Sequence, residues 1–171
     1  MTADHGFAPT EAKIVSLEEA KELLRAWRAE GKAIAYANGC FDLLHLGHVR
    51  TLERAREHAD VLVVGINSDS SARQLKGPGR PIVPEQERAG MVAALACVDL
   101  VVVFSELSSL PVIEALRPEV WVKGGDYNID TVNQEERTFV ESYGGRVALA
   151  GYVPDLSSSD LIARIRQSAE G

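Results

Sequence analysis

His45 and His48 stand three residues apart with Gly47 between them, in the run Asn38-Gly39-Cys40-Phe41-Asp42-Leu43-Leu44-His45-Leu46-Gly47-His48. If the residues between them make one turn, both imidazoles face one point. Gly39 suits a sharp backbone turn, and Gly47 lets the chain approach a ligand closely. A helix beginning at Gly47 or His48 would aim its first, unpartnered N–H groups at the same place. Donors and imidazoles gathered at the positive end of a helix suit a polyphosphate. The helix end alone contributes only about 0.3–1 kcal/mol toward an anion. Losing a preorganised donor aimed at charge that develops during reaction costs about 10²–10³ in rate. His45 and His48 are therefore the candidates for catalysis. Gly39, Cys40, Phe41, Asp42 and Gly47 are the candidate contacts around them. A zinc site built from His45, His48, Asp42 and Cys40 is the competing chemistry, since catalytic zinc takes three such ligands and keeps one position open.

Three further stretches carry charge or hydroxyls beside glycine or serine. Lys76 and Arg80 flank Gly77-Pro78-Gly79, a stiff segment able to close over a triphosphate. Arg88 sits near the start of a helix, where the dipole disfavours a cation. It is expected to face an anion or to pair with a carboxylate. Lys123-Gly124-Gly125-Asp126 has a bare backbone able to pack against a flat base or a ribose. Ser157, Ser158 and Ser159 can cap a last helix, and the same groups could hold a phosphate.

The elements that must position these residues follow from periodicity. Ser16 and Glu19 read as a capping box heading a helix that stops at Gly31. Strands are expected at 33–37, 61–66, 100–104, 120–122 and 146–150. Helices are expected at about 47–58, from Pro84 to about Cys97, at 109–116, from an Asn133–Glu136 capping box to Tyr143, and after Ser159. Residues 1–13 read as a flexible N-terminal tail and 14–171 as one domain. Alternation of helices with continuously apolar strands is the pattern of a parallel sheet with helices on both faces. The expected fold class is thus α/β, a single Rossmann-like domain. In such sheets ligands bind beyond the carboxyl ends of the strands, near a reversal of strand order. All the residues singled out above lie just after strands or at helix starts.

The chain has 171 residues, 46% hydrophobic and 25% charged, with net charge −7. This is one soluble domain's worth of core. The acidic balance argues against a nucleic-acid partner. No apolar run reaches the ~18 residues of a membrane span, and no signal peptide is expected at Met1–Thr10. Two cysteines without paired spacing fit a reduced, cytoplasmic chain. There is no internal repeat. No Gly-x-Gly-x-x-Gly follows the first strand, which argues against a dinucleotide-dependent oxidoreductase. A homodimer is the expected assembly, as is common for small α/β enzymes.

At these residues the sequence resembles the cytidylyltransferase-like nucleotidyltransferases, whose mark is His-x-Gly-His, here His45-Leu46-Gly47-His48 within GCFDLLHLGH. Further segments look like the ADP-heptose synthase branch, the D-glycero-β-D-manno-heptose 1-phosphate adenylyltransferases of lipopolysaccharide and carbohydrate metabolism. They are INSD at 66–69, LKGPGRPI at 75–82, EQERAGMVAALACVD at 85–99, LRPEVWVKGGDY at 116–127 and YGGRV at 143–147. The resemblance runs from about residue 12 to 167. It implies transfer of AMP from ATP to a sugar 1-phosphate with release of pyrophosphate, Mg²⁺ being bound with the triphosphate. By motif position, His45, His48 and Lys76 would be catalytic. Arg88, Lys123, Gly124, Gly125, Asp126 and Ser157–Ser159 would join Gly39–Asp42 and Gly47 in binding the nucleotide. No protein-bound metal is implied. The family commonly has an arginine followed by Ser-Thr-Thr at its last helix, where this chain has Leu156-Ser157-Ser158-Ser159-Asp160. Two other readings remain open: a cytidylyltransferase acting on glycerol 3-phosphate or a similar alcohol phosphate, and a non-catalytic nucleotide-binding regulator.

Overall fold

The computed structural model describes residues 9–125, 127–151 and 157–169. Five strands form one sheet: β1 (Ile34–Gly39), β2 (Val61–Asn67), β3 (Leu100–Phe104), β4 (Val120–Gly124) and β5 (Arg146–Gly151). Their order is β3-β2-β1-β4-β5, and every pairing is parallel. The central strands read as unbroken apolar runs because helices cover both of their faces. All seven residues of β2 are buried.

Successive side chains of a strand point to opposite faces, and β1 divides accordingly. Ala35 and Ala37 pack with Leu52 and Ala55 of α2 (Leu46–Arg56) and Ala89 and Val92 of α4 (Glu85–Ala93). Ile34 and Tyr36 pack on the other side with Leu24 of α1 (Leu17–Ala29), Ile113 and Leu116 of α5 (Leu110–Leu116), and Val140 of α6 (Gln134–Ser142). Two more α-helices lie among the described residues: α3 (Asp69–Lys76) follows β2, and α7 (Ser158–Ala169) ends them. The sheet with helices on both faces is the expected fold class.

The Ser16–Glu19 capping box forms as read. Three local expectations come out differently. Helix α4 ends at Ala93 rather than near Cys97, because the chain turns at once toward β3. The carbonyls of Leu95 and Val98 in that turn accept from Lys13 Nζ at 3.4 and 2.8 Å. Lys13 itself closes a 3₁₀ helix, Thr10–Lys13, inside the stretch read as a tail. Asn133 does cap α6, accepting from the N–H groups of Glu135 and Glu136. The Glu136 carboxylate, however, does not return to Asn133. It reaches across to α5, where the buried Ser109 N–H needs an acceptor.

The topology fixes where a ligand belongs. From β1 the chain builds outward through β2 to β3, then crosses back to set β4 on the other side of β1. The carboxyl ends of β1 and β4 therefore flank the point of reversal, where a crevice opens.

Candidate active site

Helix α2 begins at Leu46 with His45 in the capping position and no side-chain cap bond. Ser, Thr, Asp or Asn would ordinarily sit there and satisfy the first N–H groups. Their absence leaves donors at the positive end of the helix for an anion. The loop leading in is bent through left-handed conformations at Phe41 (φ 50) and Leu43 (φ 54). Such residues cost on the order of 1–3 kcal/mol each and must be held in place by their surroundings. Phe41 is buried in the core, and Asp42 is tied down by its carboxylate.

That carboxylate accepts from the N–H groups of Ile82 and Val83 at 3.0 Å and from Arg80 Nε at 2.5 Å. Burial would raise its pKa, but the two backbone N–H groups and the Arg80 guanidinium outweigh burial and hold it below the usual carboxylate range. Asp42 thus clasps the 77–83 loop to the histidine loop. Its carbonyl accepts from Ser158 Oγ, which draws in the start of α7. Ser157 caps that helix by accepting from the Asp160 N–H.

The two imidazoles stack, with ring centroids 3.8 Å apart and planes inclined by 25°. Phe41 flanks His48 at 5.2 Å. Both Nδ1 atoms are buried and have no hydrogen-bond partner among the described residues. Burial, reinforced by His45 and Lys76, pulls the His48 pKa down to about 4. Burial lowers that of His45 too. The pair is therefore neutral near pH 7, and each ring offers one N–H donor and one acceptor.

These groups open onto a cavity of about 810 Å³. That lies toward the upper end of the ~300–1,000 Å³ usual for small-molecule sites, as suits a site holding two substrates. Lys76, at the end of α3, reaches it from one side. Lys123, Gly124 and Gly125 reach it from β4, and Ser157, Ser158 and Ser159 from α7. Asn38, next to last in β1, accepts at Oδ1 from both Trp121 Nε1 (3.1 Å) and Lys123 Nζ (3.3 Å). This aims the Lys123 ammonium across the point of reversal. Burial lowers the Lys123 pKa, opposed by the Glu136 carboxylate and Cys40. At Gly124 a Cβ would lie 2.2 Å from Thr51 Cγ2 of α2, so glycine is what lets the helix seat against β4.

The structure thus brings together His45, His48, Lys76, Gly39, Cys40, Phe41, Asp42, Gly47, Lys123, Gly124, Gly125 and Ser157–Ser159. Asp126 and Leu156 lie outside the described residues. Arg88 is the exception, and its assignment to nucleotide binding is corrected. Its side chain is 1% exposed and does not line the cavity. It donates from Nε to the Val83 carbonyl, from Nη1 to the carbonyls of Cys40 and Asn67, and from Nη2 to Asp69 Oδ1 at 2.7 Å. A guanidinium so fully committed braces the loops from behind. The carboxylate partner, not an anionic ligand, is what the helix position signalled. At Cys40, burial is the largest influence and pushes the thiol pKa up. No three His, Cys, Asp or Glu side chains cluster as metal ligands among the described residues, and the Asp42 carboxylate is taken up by Arg80 and two backbone N–H groups.

Asn38, Thr51, Asn67 and Glu136 also line the cavity, and sequence reasoning passed over them. Asn38 and Asn67 lie at the carboxyl ends of adjacent strands, which is a legible signal. Thr51 and Glu136 lie inside helices and reach the site only through packing.

The family model described as cytidylyltransferase-like matches residues 36–164. This span runs from β1 through the histidines into α7. The chain belongs to the cytidylyltransferase-like family. That sets it among the nucleotidyltransferases. This cytidylyltransferase-like chain is 50% identical over 155 residues to the bifunctional protein HldE of Syntrophotalea carbinolica, covering 91% of its own length and 31% of the relative. It is 49% identical over 162 residues to HldE of Geotalea uraniireducens, covering 95% and 33%. It therefore spans about a third of the length of these relatives. Among solved structures it resembles the lipopolysaccharide core biosynthesis protein from Thermoplasma volcanium, with TM-score 0.60, 27% identity, and coverage of 74% of this chain and 100% of that one. Pantothenate synthetase from Thermus thermophilus shares the fold at TM-score 0.64 and 17% identity, with coverage of 92% and 70%. Among the described residues no helix is long and apolar enough to cross a membrane.

Proposed function

We propose that this chain transfers the adenylyl group of ATP to the phosphate of a heptose 1-phosphate, giving ADP-heptose and pyrophosphate. The observation that carries the transfer chemistry is the stacked, neutral histidine pair. Its Nδ1 atoms are buried without partners among the described residues, at a helix start with no side-chain cap bond. Both residues line the cavity, where a neutral imidazole can donate an N–H to a phosphate oxygen. The identity to HldE proteins and the likeness to a lipopolysaccharide core biosynthesis protein support the heptose acceptor.

An oxygen of the sugar phosphate attacks the α-phosphorus of ATP in line. The bond from that phosphorus to the bridging oxygen of the β-phosphate breaks, and pyrophosphate leaves with the electron pair. The acceptor oxygen is already anionic, so no protein base is required. Such a transfer depends on positioning and charge neutralisation. His45 and His48 donate to oxygens of the α-phosphate as negative charge concentrates there. The free N–H groups at the start of α2 and the hydroxyls at the start of α7 hold the leaving phosphates. Lys76 neutralises them from the loop side, and Lys123 holds the nucleotide or the sugar phosphate. Mg²⁺ bound with the triphosphate would supply further charge neutralisation.

The free thiols Cys40 and Cys97 support a cytoplasmic setting, and a homodimer is the proposed assembly. Pyrophosphate release by the purified chain, with ATP or CTP against heptose 1-phosphate or glycerol 3-phosphate, tests the reading. Release confined to ATP with heptose 1-phosphate is expected. Release with CTP and glycerol 3-phosphate instead would replace the substrate. Nucleotide binding with no release on any pair would favour the regulatory reading.

A further inference from the structure

The cavity does not end at the phosphate groups. It continues over the ends of β1 and β4 to the opposite face of the sheet, where Leu107, Thr131 and Glu136 line it. Glu136 is 3% exposed. Its Oε1 accepts from the Ser109 N–H at 2.7 Å, Ser108 Oγ at 2.8 Å and Ser109 Oγ at 3.1 Å. Its Oε2 accepts from no described residue and is not sealed off as an unpaired buried atom. One oxygen is thus fixed to the start of α5, while the other has no partner among the described residues and belongs to a side chain lining the cavity. A carboxylate repels phosphate, so this wall does not serve the nucleotide's tail. The nearby Lys123 ammonium offsets its charge, so the wall does not select a cationic ligand either. What remains is a neutral group rich in donors.

We propose that Glu136 Oε2 accepts hydrogen bonds from the hydroxyls of a polyol acceptor. Held rigid by its bonds to Ser108 and Ser109, it would read the sugar ring while the acceptor phosphate lies toward the histidines. This rests on the sugar-phosphate reading above and assigns the acceptor's side of the cavity to a residue that the sequence marked only as part of a helix cap. Glu136 is a binding residue here and takes no part in bond making. Glutamine at this position keeps an oxygen for Ser108 and Ser109 and removes the charge.

The test measures calorimetric dissociation constants on the full chain for heptose 1-phosphate, methyl phosphate and ATP, in the wild type and Glu136→Gln. Hydrogen bonds to a charged partner are strong enough that heptose 1-phosphate should weaken about 10- to 100-fold. Methyl phosphate, ATP and the melting temperature should be little changed. Ser108→Ala, which loosens the cap and keeps the carboxylate, should leave the wild-type preference for the sugar over methyl phosphate largely intact. An unchanged constant for heptose 1-phosphate in Glu136→Gln overturns the proposal. So does parallel weakening of all three ligands, which would make Glu136 only a cap for α5. Equal affinity of the wild type for heptose 1-phosphate and methyl phosphate overturns it as well. Turnover is read separately: wild-type pyrophosphate release from ATP decides the transfer reading whatever the binding series shows.

Discussion

An imidazole whose pKa lies near 4 is neutral at ordinary pH, so His48 offers a triphosphate an N–H and no charge. The same burial makes it an acid-sensitive point. The unfolded chain takes up this proton near pH 6.5, whereas the folded chain resists until about pH 4. Between those values the unfolded state binds more protons. The contribution of a neutral His48 is therefore full above pH 6.5 and is lost as the pH falls toward 4. The melting temperature should drop less over that window in His48→Gln than in the wild type, and equal drops would count against a buried neutral ring. His45 shows how function displaces stability at one position. His45→Ser should cap α2 and stabilise the chain by about 1 kcal/mol, while turnover falls. Thermal unfolding and pyrophosphate release on the same preparation would check both. The pair is legible in the sequence because spacing, glycine and the strand–helix setting agree. Its neutrality is not, since burial is a property of packing.

Helices and loops hold these side chains by contacts that one sequence records poorly. Gly124 is one: it stands in a motif read as a ligand surface, and the structure adds that it admits Thr51 of α2. Gly124→Ala should push α2 away from β4, costing about 1–3 kcal/mol as overpacking does, and should lower turnover by shifting His48. Adding Thr51→Ala removes the two nearest atoms and should restore part of the stability. Denaturant melts of the two single variants and the double would measure this, and strictly additive losses would contradict the contact. Arg88 is the other case. Its place at a helix start is legible, and so is the need for a negative partner. The three carbonyls it gathers from separate loops are not, because they meet only when β2, the 40s loop and the 83 turn are folded together. Arg88→Ala leaves those carbonyls without their donor and should destabilise the chain, by about 1–3 kcal/mol for each buried one left unpaired. A phosphate-binding arginine would instead raise the KM for ATP with little change in stability.

For the molecule as a whole, the continuous apolar strands make the parallel sheet and its two covered faces readable in advance. They do not give the order β3-β2-β1-β4-β5. That order decides that Asn38 and Lys123 meet, that Asp42 reaches the 80s loop, and that one cavity spans both faces. Glu136 reads from sequence as the second half of a capping box, and only the folded chain places α5 beside α6 to claim its carboxylate. The most direct measurement compares pyrophosphate release from ATP and heptose 1-phosphate by the wild type and by His48→Ala, alongside ATP affinity in both. Robust wild-type release, falling by about 10²–10³ in His48→Ala with ATP affinity retained, is the expected result. A His48→Ala chain that turns over like the wild type would contradict catalysis by the histidine pair.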